Sequence, residues 1–261
     1  MNVFSRALLR TGGVLALVCV LGLSLTNGSA FAQKKVDERY SIVVINGKEV
    51  IRDSVDKVYI SSPVLADGTQ LTLQNYKNIL EESDFIQEKV EREKANAPIS
   101  RQDESPTQDY SPSAIYQYYS YDEDLGWQAT GSKVQVSAWV DCPSGTTACT
   151  IQSTNQKTIS HSFSTNVESG WKETIRVGAT YQFQYQLATS TSYTLPIEPG
   201  KTGYMSFRPW INYTRGYVTT STYRDGWFVS ESKSGMVFAN GPDKLSSGEA
   251  NGIYAIEYPY N

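Results

Sequence analysis

Histidine and cysteine are almost missing from this chain, whose 261 residues hold one histidine, His161, and three cysteines. Of the cysteines, Cys19 lies in the N-terminal leader described below, so one histidine and two cysteines remain for the rest of the protein. An all-protein zinc site of the usual His/Cys kinds cannot be built from that set. His161 alternates with Ile159 and Phe163 in a strand pattern, which fits a partly buried structural residue better than a catalytic base. No Gly-Xaa-Ser-Xaa-Gly elbow, no glycine-rich phosphate loop and no EF-hand spacing occurs. The chain is therefore read as a non-enzyme, with no catalytic residues, no metal and no cofactor expected.

Positive charge is also scarce. The formal net charge is −4, and Arg6 and Arg10 of the leader contribute to it, so the chain without them is more acidic still. Sequence-independent nucleic-acid binding rests on clustered Lys and Arg, and this balance argues against it. Paired carboxylates invite a glycosidase reading at Asp122-Glu123-Asp124. Adjacent acids on a loop, however, do not supply the fixed separation of about 5 to 10 Å that acid/base work across a sugar requires.

Long apolar runs are limited to one, Gly12 to Leu25, preceded by Arg6 and Arg10 and followed by Ala30-Phe31-Ala32. The run is shorter than the roughly twenty residues that a spanning helix needs, and small residues precede Gln33. Residues 1–32 are expected to be a signal peptide, with cleavage after Ala32 and a secreted, extracellular product. In that oxidising setting Cys142 and Cys149 are expected to form a disulfide across a tight loop.

What the chain does have is β pattern and tyrosine. Tyr40 to Ile45 and Lys48 to Ile51 flank Asn46-Gly47, a two-residue hairpin signal. A third strand is expected over Lys57 to Ile60. From Asn75 to Lys94 the period becomes helical, with Tyr76, Ile79, Leu80, Ser83, Ile86 and Val90 on one side and Thr72 or Asn75 as cap. Residues 33–94 thus read as a small α+β segment. Residues 95–113 carry Pro98, Pro106 and Pro112 among polar residues and read as a linker. Residues 114–261 form the β domain, so the fold class is mainly β, an elongated twisted sheet or β-sandwich with a small N-terminal α+β appendage.

Within that domain one segment alternates at period two for thirteen residues. Ile175, Val177, Tyr181, Phe183, Tyr185 and Leu187 share one face, opposite Gln182, Gln184 and Gln186, and the spacing predicts a strand of about 44 Å. Its face is either core or membrane-facing. Aromatic residues are plentiful, with 18 tyrosines and 5 tryptophans. Tyr119, Tyr121, Trp127, Trp210, Tyr213 and Trp227 are the candidate binding residues, because flat amphipathic rings suit glycans, proteins and membrane interfaces. Cross-strand aromatic packing is the structural alternative.

The segment Ile159 to Leu195, around Glu168-Ser169-Gly170-Trp171, and the following Leu195-Pro196-Ile197-Glu198-Pro199-Gly200-Lys201-Thr202-Gly203-Tyr204 resemble the elongated sheet of aerolysin-like β-pore-forming proteins. The resemblance implies an amphipathic hairpin that joins an oligomeric membrane barrel. Two readings follow. The first is a secreted, non-catalytic protein that binds a surface, glycan or protein partner through its aromatic-rich domain. The second is a membrane-active pore former, oligomeric only in that case; a carbohydrate-active enzyme stands third.

Overall fold

Asn46 and Gly47 adopt φ of 51° and 78°, the left-handed pair that a two-residue hairpin turn requires. They join β1 (Tyr40–Ile45) to β2 (Lys48–Asp53) in the register expected from the sequence. The computed structural model describes residues 38–96, 114–147, 149–190 and 193–260. The expected signal peptide, and all of the expected linker beyond its first two residues, lie outside them.

After β3 (Val58–Leu65) comes α1 (Leu73–Asn96), which buries Tyr76, Leu80, Ser83 and Val90 along one stripe. Thr72 is the cap: its Oγ1 accepts the Asn75 N–H at 3.1 Å. Ser83, the polar member of the stripe, accepts the Thr130 N–H at 3.0 Å, which satisfies a buried hydroxyl. The helix runs into the first two residues of the expected linker.

The strands that follow are β4 (Ile115–Thr130), β5 (Val134–Gln135), β6 (Val140–Cys142), β7 (Cys149–Gln152), β8 (Thr158–Ser160) and β9 (Ser162–Phe163). After α2 (Trp171–Gly178) come β10 (Gln186–Ala188), β11 (Thr194–Ile197) and β12 (Lys201–Arg224). The last three are β13 (Trp227–Lys233), β14 (Val237–Pro242) and β15 (Gly252–Pro259). The 24-residue β12 is the axis: β4, β5, β6, β13, β14 and β15 all pair with it antiparallel. Pairing of β3 with β15 carries the N-terminal hairpin into the same sheet. Asp37–Asn261 is one compact unit, so the described parts on either side of residues 97–113 belong to a single body.

Alternation along β12 and β15 sends side chains into two cores. Met205, Phe207, Tyr254 and Ile256 meet Ile151, Ile159, Leu195 and Ile197 from the small β7–β11 and β8–β10 sheets, which makes that end a sandwich. On the opposite face Ile253 and Ala255 join Ile51, Ile60, Tyr76 and Leu80 beneath α1. A third core holds Ile175, Ala179 and Phe183 against Val218, Val237 and Ala239. Cys142 and Cys149 are bridged, with Cα atoms 5.7 Å apart, where β6 turns toward β7.

The long strand expected over 175–187 is not formed. Residues 171–178 are helix, and only Gln186–Ala188 at the far end is strand. The physical reason lies in the spacing of the residues that pack. Trp171, Ile175 and the C-cap residue Ala179 are four apart and pack into the third core, whereas Val177, Tyr181 and Tyr185 from the alternating set are exposed. The segment therefore satisfies helical and extended periods together, and docking on Val218 and Val237 selects the first at its start. Leu187 alone of the set lies in a strand, half-buried against the sandwich core.

A candidate surface-binding site at the end of a three-stranded finger

The outer halves of β4 and β12 run together from Leu125↔Arg215 to Ile115↔Arg224, and β13 pairs with β12 on its other side. The hairpin turn is Asp225-Gly226, with φ of 50° and 86°, the left-handed pair that a two-residue turn uses. Register assigns the faces. Tyr116 lies opposite Tyr223, which lies opposite Phe228, so these rings share one face, joined by Tyr118. Ring contacts agree: Tyr118–Tyr223 centroids are 5.5 Å apart and Tyr223–Phe228 centroids 5.7 Å. Ile115 and Trp227 both pair with Arg224 and occupy the other face.

This end of the finger is open to solvent on both faces. Trp227 is 80% exposed, Phe228 59%, Tyr118 64% and Ile115 56%, and Val229 is also exposed. Charge there is balanced. Arg224 is next to Asp225, and farther along, Lys233 pairs with Asp122 at 3.2 Å while Glu231 accepts from Ser221 at 3.2 Å.

The six expected aromatic residues are not one cluster. Trp227 is at the tip. Tyr119 and Tyr121 face α2, where Gly170 and Gly178 leave room for their rings; a Cβ on Gly170 would sit 3.0 Å from Tyr119. Trp127 and Tyr213 are register partners whose rings stack at 5.4 Å with a 2° interplanar angle, beside Val90 of α1. Trp210 packs against the core beneath α1. Five of the six thus do cross-strand or interlayer packing. Ile115, Tyr118, Phe228 and Val229 were missing from the expected set; Phe228 and Val229 had a signal in their proximity to the Asp225-Gly226 turn, whereas Ile115 and Tyr118 are brought there only by the pairing of β4 with β12.

Asp122-Glu123-Asp124 lies within β4, not on a loop, at an irregularity opposite Arg215 and Gly216. Each acid has structural work. Asp124 accepts from Arg215 at 2.8 Å, and Glu123 accepts from the Thr214 hydroxyl at 2.6 Å and the Thr180 N–H at 3.0 Å. Arg215 also pairs with Glu93 of α1. Among the described residues no group of three His, Cys, Asp or Glu could hold a metal. His161 packs edge-on against Phe163 and Tyr185, its Nδ1 2.6 Å from the Tyr185 carbonyl.

No curated protein and no solved structure matches this chain. A family model described as a family of unknown function, DUF6060, matches residues 115–251, which run from the first residue of β4 to just before β15. That match takes in the whole finger and more than half of the chain, and the protein accordingly belongs to the DUF6060 family.

Proposed function

We propose that this is an exported, non-catalytic binding protein whose finger tip seats in the interfacial layer of a lipid bilayer. One observation carries the reading: large apolar side chains stand exposed on both faces of the same tip, Trp227 and Ile115 on one and Phe228 and Tyr118 on the other. A folded partner with a flat surface covers one face of a sheet and leaves the other wet. A fluid interface surrounds both. Tryptophan and tyrosine favour the headgroup level, where the ring is apolar and the N–H or O–H stays hydrated. The balanced charge of the tip suits zwitterionic lipid, with no anionic headgroup required.

Full burial of a side chain such as Trp227 or Phe228 is worth about 1.5–3 kcal/mol. A handful of such residues gives reversible peripheral attachment. The processed protein is expected to co-sediment with phosphatidylcholine vesicles and to shift its tryptophan emission to the blue. The Trp227→Ser, Phe228→Ser double variant should stay folded and lose both signals. Wild-type protein that ignores vesicles but is retained by a glycan or protein surface, with retention abolished by the same variant, would replace the bilayer with that partner. Release of an entrapped dye by the wild type would instead favour the pore-forming reading, whose hairpin could not be residues 175–187 as folded here.

A further inference from the structure

A second site lies away from the finger, in a cleft of about 310 Å³ lined by Arg39, Asp56, Asp84, Gln87, the Gly131-Ser132-Lys133 turn and Arg208. Five parts of the chain converge there: the residue before β1, the β2–β3 turn, α1, the connection after β4, and the middle of β12. Its charges fall into two groups. Arg39 is held by Asp53 at 3.2 Å, Asp56 at 3.4 Å and Asp84 at 2.9 Å. Lys133 bridges Asp56 at 2.9 Å and the fully buried Glu257 at 2.5 Å. These five ion pairs match every acid of the cleft to a cation.

Arg208 is left over. Only 7% of it is exposed and it forms no ion pair among the described residues; the Tyr76 hydroxyl is its hydrogen-bond partner, and its Nε is buried without one. A guanidinium so placed is costly, because desolvation is offset only by an acceptor that fits its planar fork. Burial opposes its charge, yet Tyr76, Tyr40 and the Glu257 carboxylate around it hold the proton more tightly than usual, so it stays a cation.

We propose that this cleft binds a polyhydroxylated monocarboxylate of about monosaccharide size, its carboxylate on Arg208. Three features of the lining select that class. The fork of an arginine pairs two oxygens of a carboxylate in one plane. Asp56 and Asp84 at the rim oppose a second negative charge, which disfavours a phosphate dianion. Because those acids are already matched to Arg39 and Lys133, what they can still accept is a neutral hydroxyl donor rather than an ammonium ion. Ser132 and Gln87 add uncharged polar groups, and the volume is at the small end of ligand sites.

The site is independent of the finger tip, so vesicle binding and ligand binding fail separately. The test is calorimetric titration of the processed protein with D-glucuronate, D-glucose and inorganic phosphate, on the wild type and two variants. Arg208→Met removes the guanidinium. Ser132→Trp blocks the cleft from an exposed position and leaves the buried network intact. The expected result is saturable glucuronate binding in the millimolar range or tighter, no binding of glucose or phosphate, and affinity lower by about tenfold or more in each folded variant. Should Arg208→Met not fold, Ser132→Trp decides. Absence of saturable glucuronate binding, phosphate binding as tight as glucuronate, or unchanged affinity in Ser132→Trp overturns the proposal.

Discussion

Ala114 and Asp225, 111 positions apart, are hydrogen-bonded in both directions: the Asp225 N–H donates to the Ala114 carbonyl at 3.0 Å, and the Ala114 N–H donates to Asp225 Oδ1 at 3.1 Å. The pair clips the start of β4 to the β12–β13 turn, so all three strands end together at the apolar tip. Asp225 also supplies the positive φ of that turn. Asp225→Ala should lose the side-chain bond and add left-handed strain, about 1–2 kcal/mol together. Hydrogen exchange should speed up at Ile115 to Tyr118 and remain unchanged in β15. Asp225→Asn, which keeps an acceptor and tolerates the turn, should restore protection; uniform exchange across all three would show that the clip contributes nothing.

Cys142 and Cys149 close a short loop between β6 and β7. Intact mass of the unreduced protein should be lighter by two hydrogens than the reduced form. Replacing both by serine should cost about 2 kcal/mol in urea unfolding, the loop-entropy value for such a span. Two thiols open to alkylation without reductant contradict the bridge.

Phe183 is fully buried, and its ring lies where a side chain on Gly241 would have to go, 2.5 Å from a Cβ built there. Gly241→Ala should therefore destabilise the protein although it adds only a methyl group, by about 1–3 kcal/mol as overpacking does. Phe183→Ala should cost about 3–5 kcal/mol. If the two are coupled through this one contact, the double variant should lose less than the sum of the singles. Strict additivity in denaturant melts would place them in separate environments.

Tyr76, Tyr213 and Tyr254 are each pushed up to about 12 from the ordinary 10.0, chiefly because burial disfavours the phenolate. In the unfolded chain these phenols ionise near 10.0, so folding holds protons that unfolding releases. The associated stability is complete below pH 10 and is lost as pH rises through about 12. Thermal midpoints should fall steeply across that window, and the phenolate absorbance of these three groups should appear only near pH 12 or with unfolding. Their titration near pH 10 in protein that keeps its native near-ultraviolet dichroism would refute the assignment.

Local chemistry made some elements legible without the fold. Asn46-Gly47 announced its hairpin because few residues tolerate positive φ, and Thr72, one of two candidate caps, marked the start of α1 because a hydroxyl there takes an orphan N–H. Other elements exceeded any local rule. Pro209 lacks an N–H for the ladder, yet β12 runs through it: the Trp210 N–H reaches the Asn251 carbonyl at 2.9 Å, and the Pro209 carbonyl accepts from Gly131 at 2.8 Å. β4 was missed because Asp122-Glu123-Asp124 looks like a solvated loop until Arg215, Thr214 and Lys233 arrive from distant parts of the chain.

The sequence by itself determined the mainly β class, the scarcity of ligands for metal or acid/base chemistry, the cysteine pairing and the turn positions, since each depends on residue type or on neighbours a few positions away. Only the tertiary structure decided that residues 171–178 coil rather than extend, that five of six candidate aromatic residues pack inward, and that Arg208 is buried with its Nε unpartnered. Those outcomes turn on which surface meets which: Val218 and Val237 take Ile175 of α2 with Trp171 and Ala179 four residues to either side, and β4 occupies the edge of β12 that stacks Trp127 on Tyr213. Arg39 and Lys133 meanwhile form the direct ion pairs with Asp84 and Glu257.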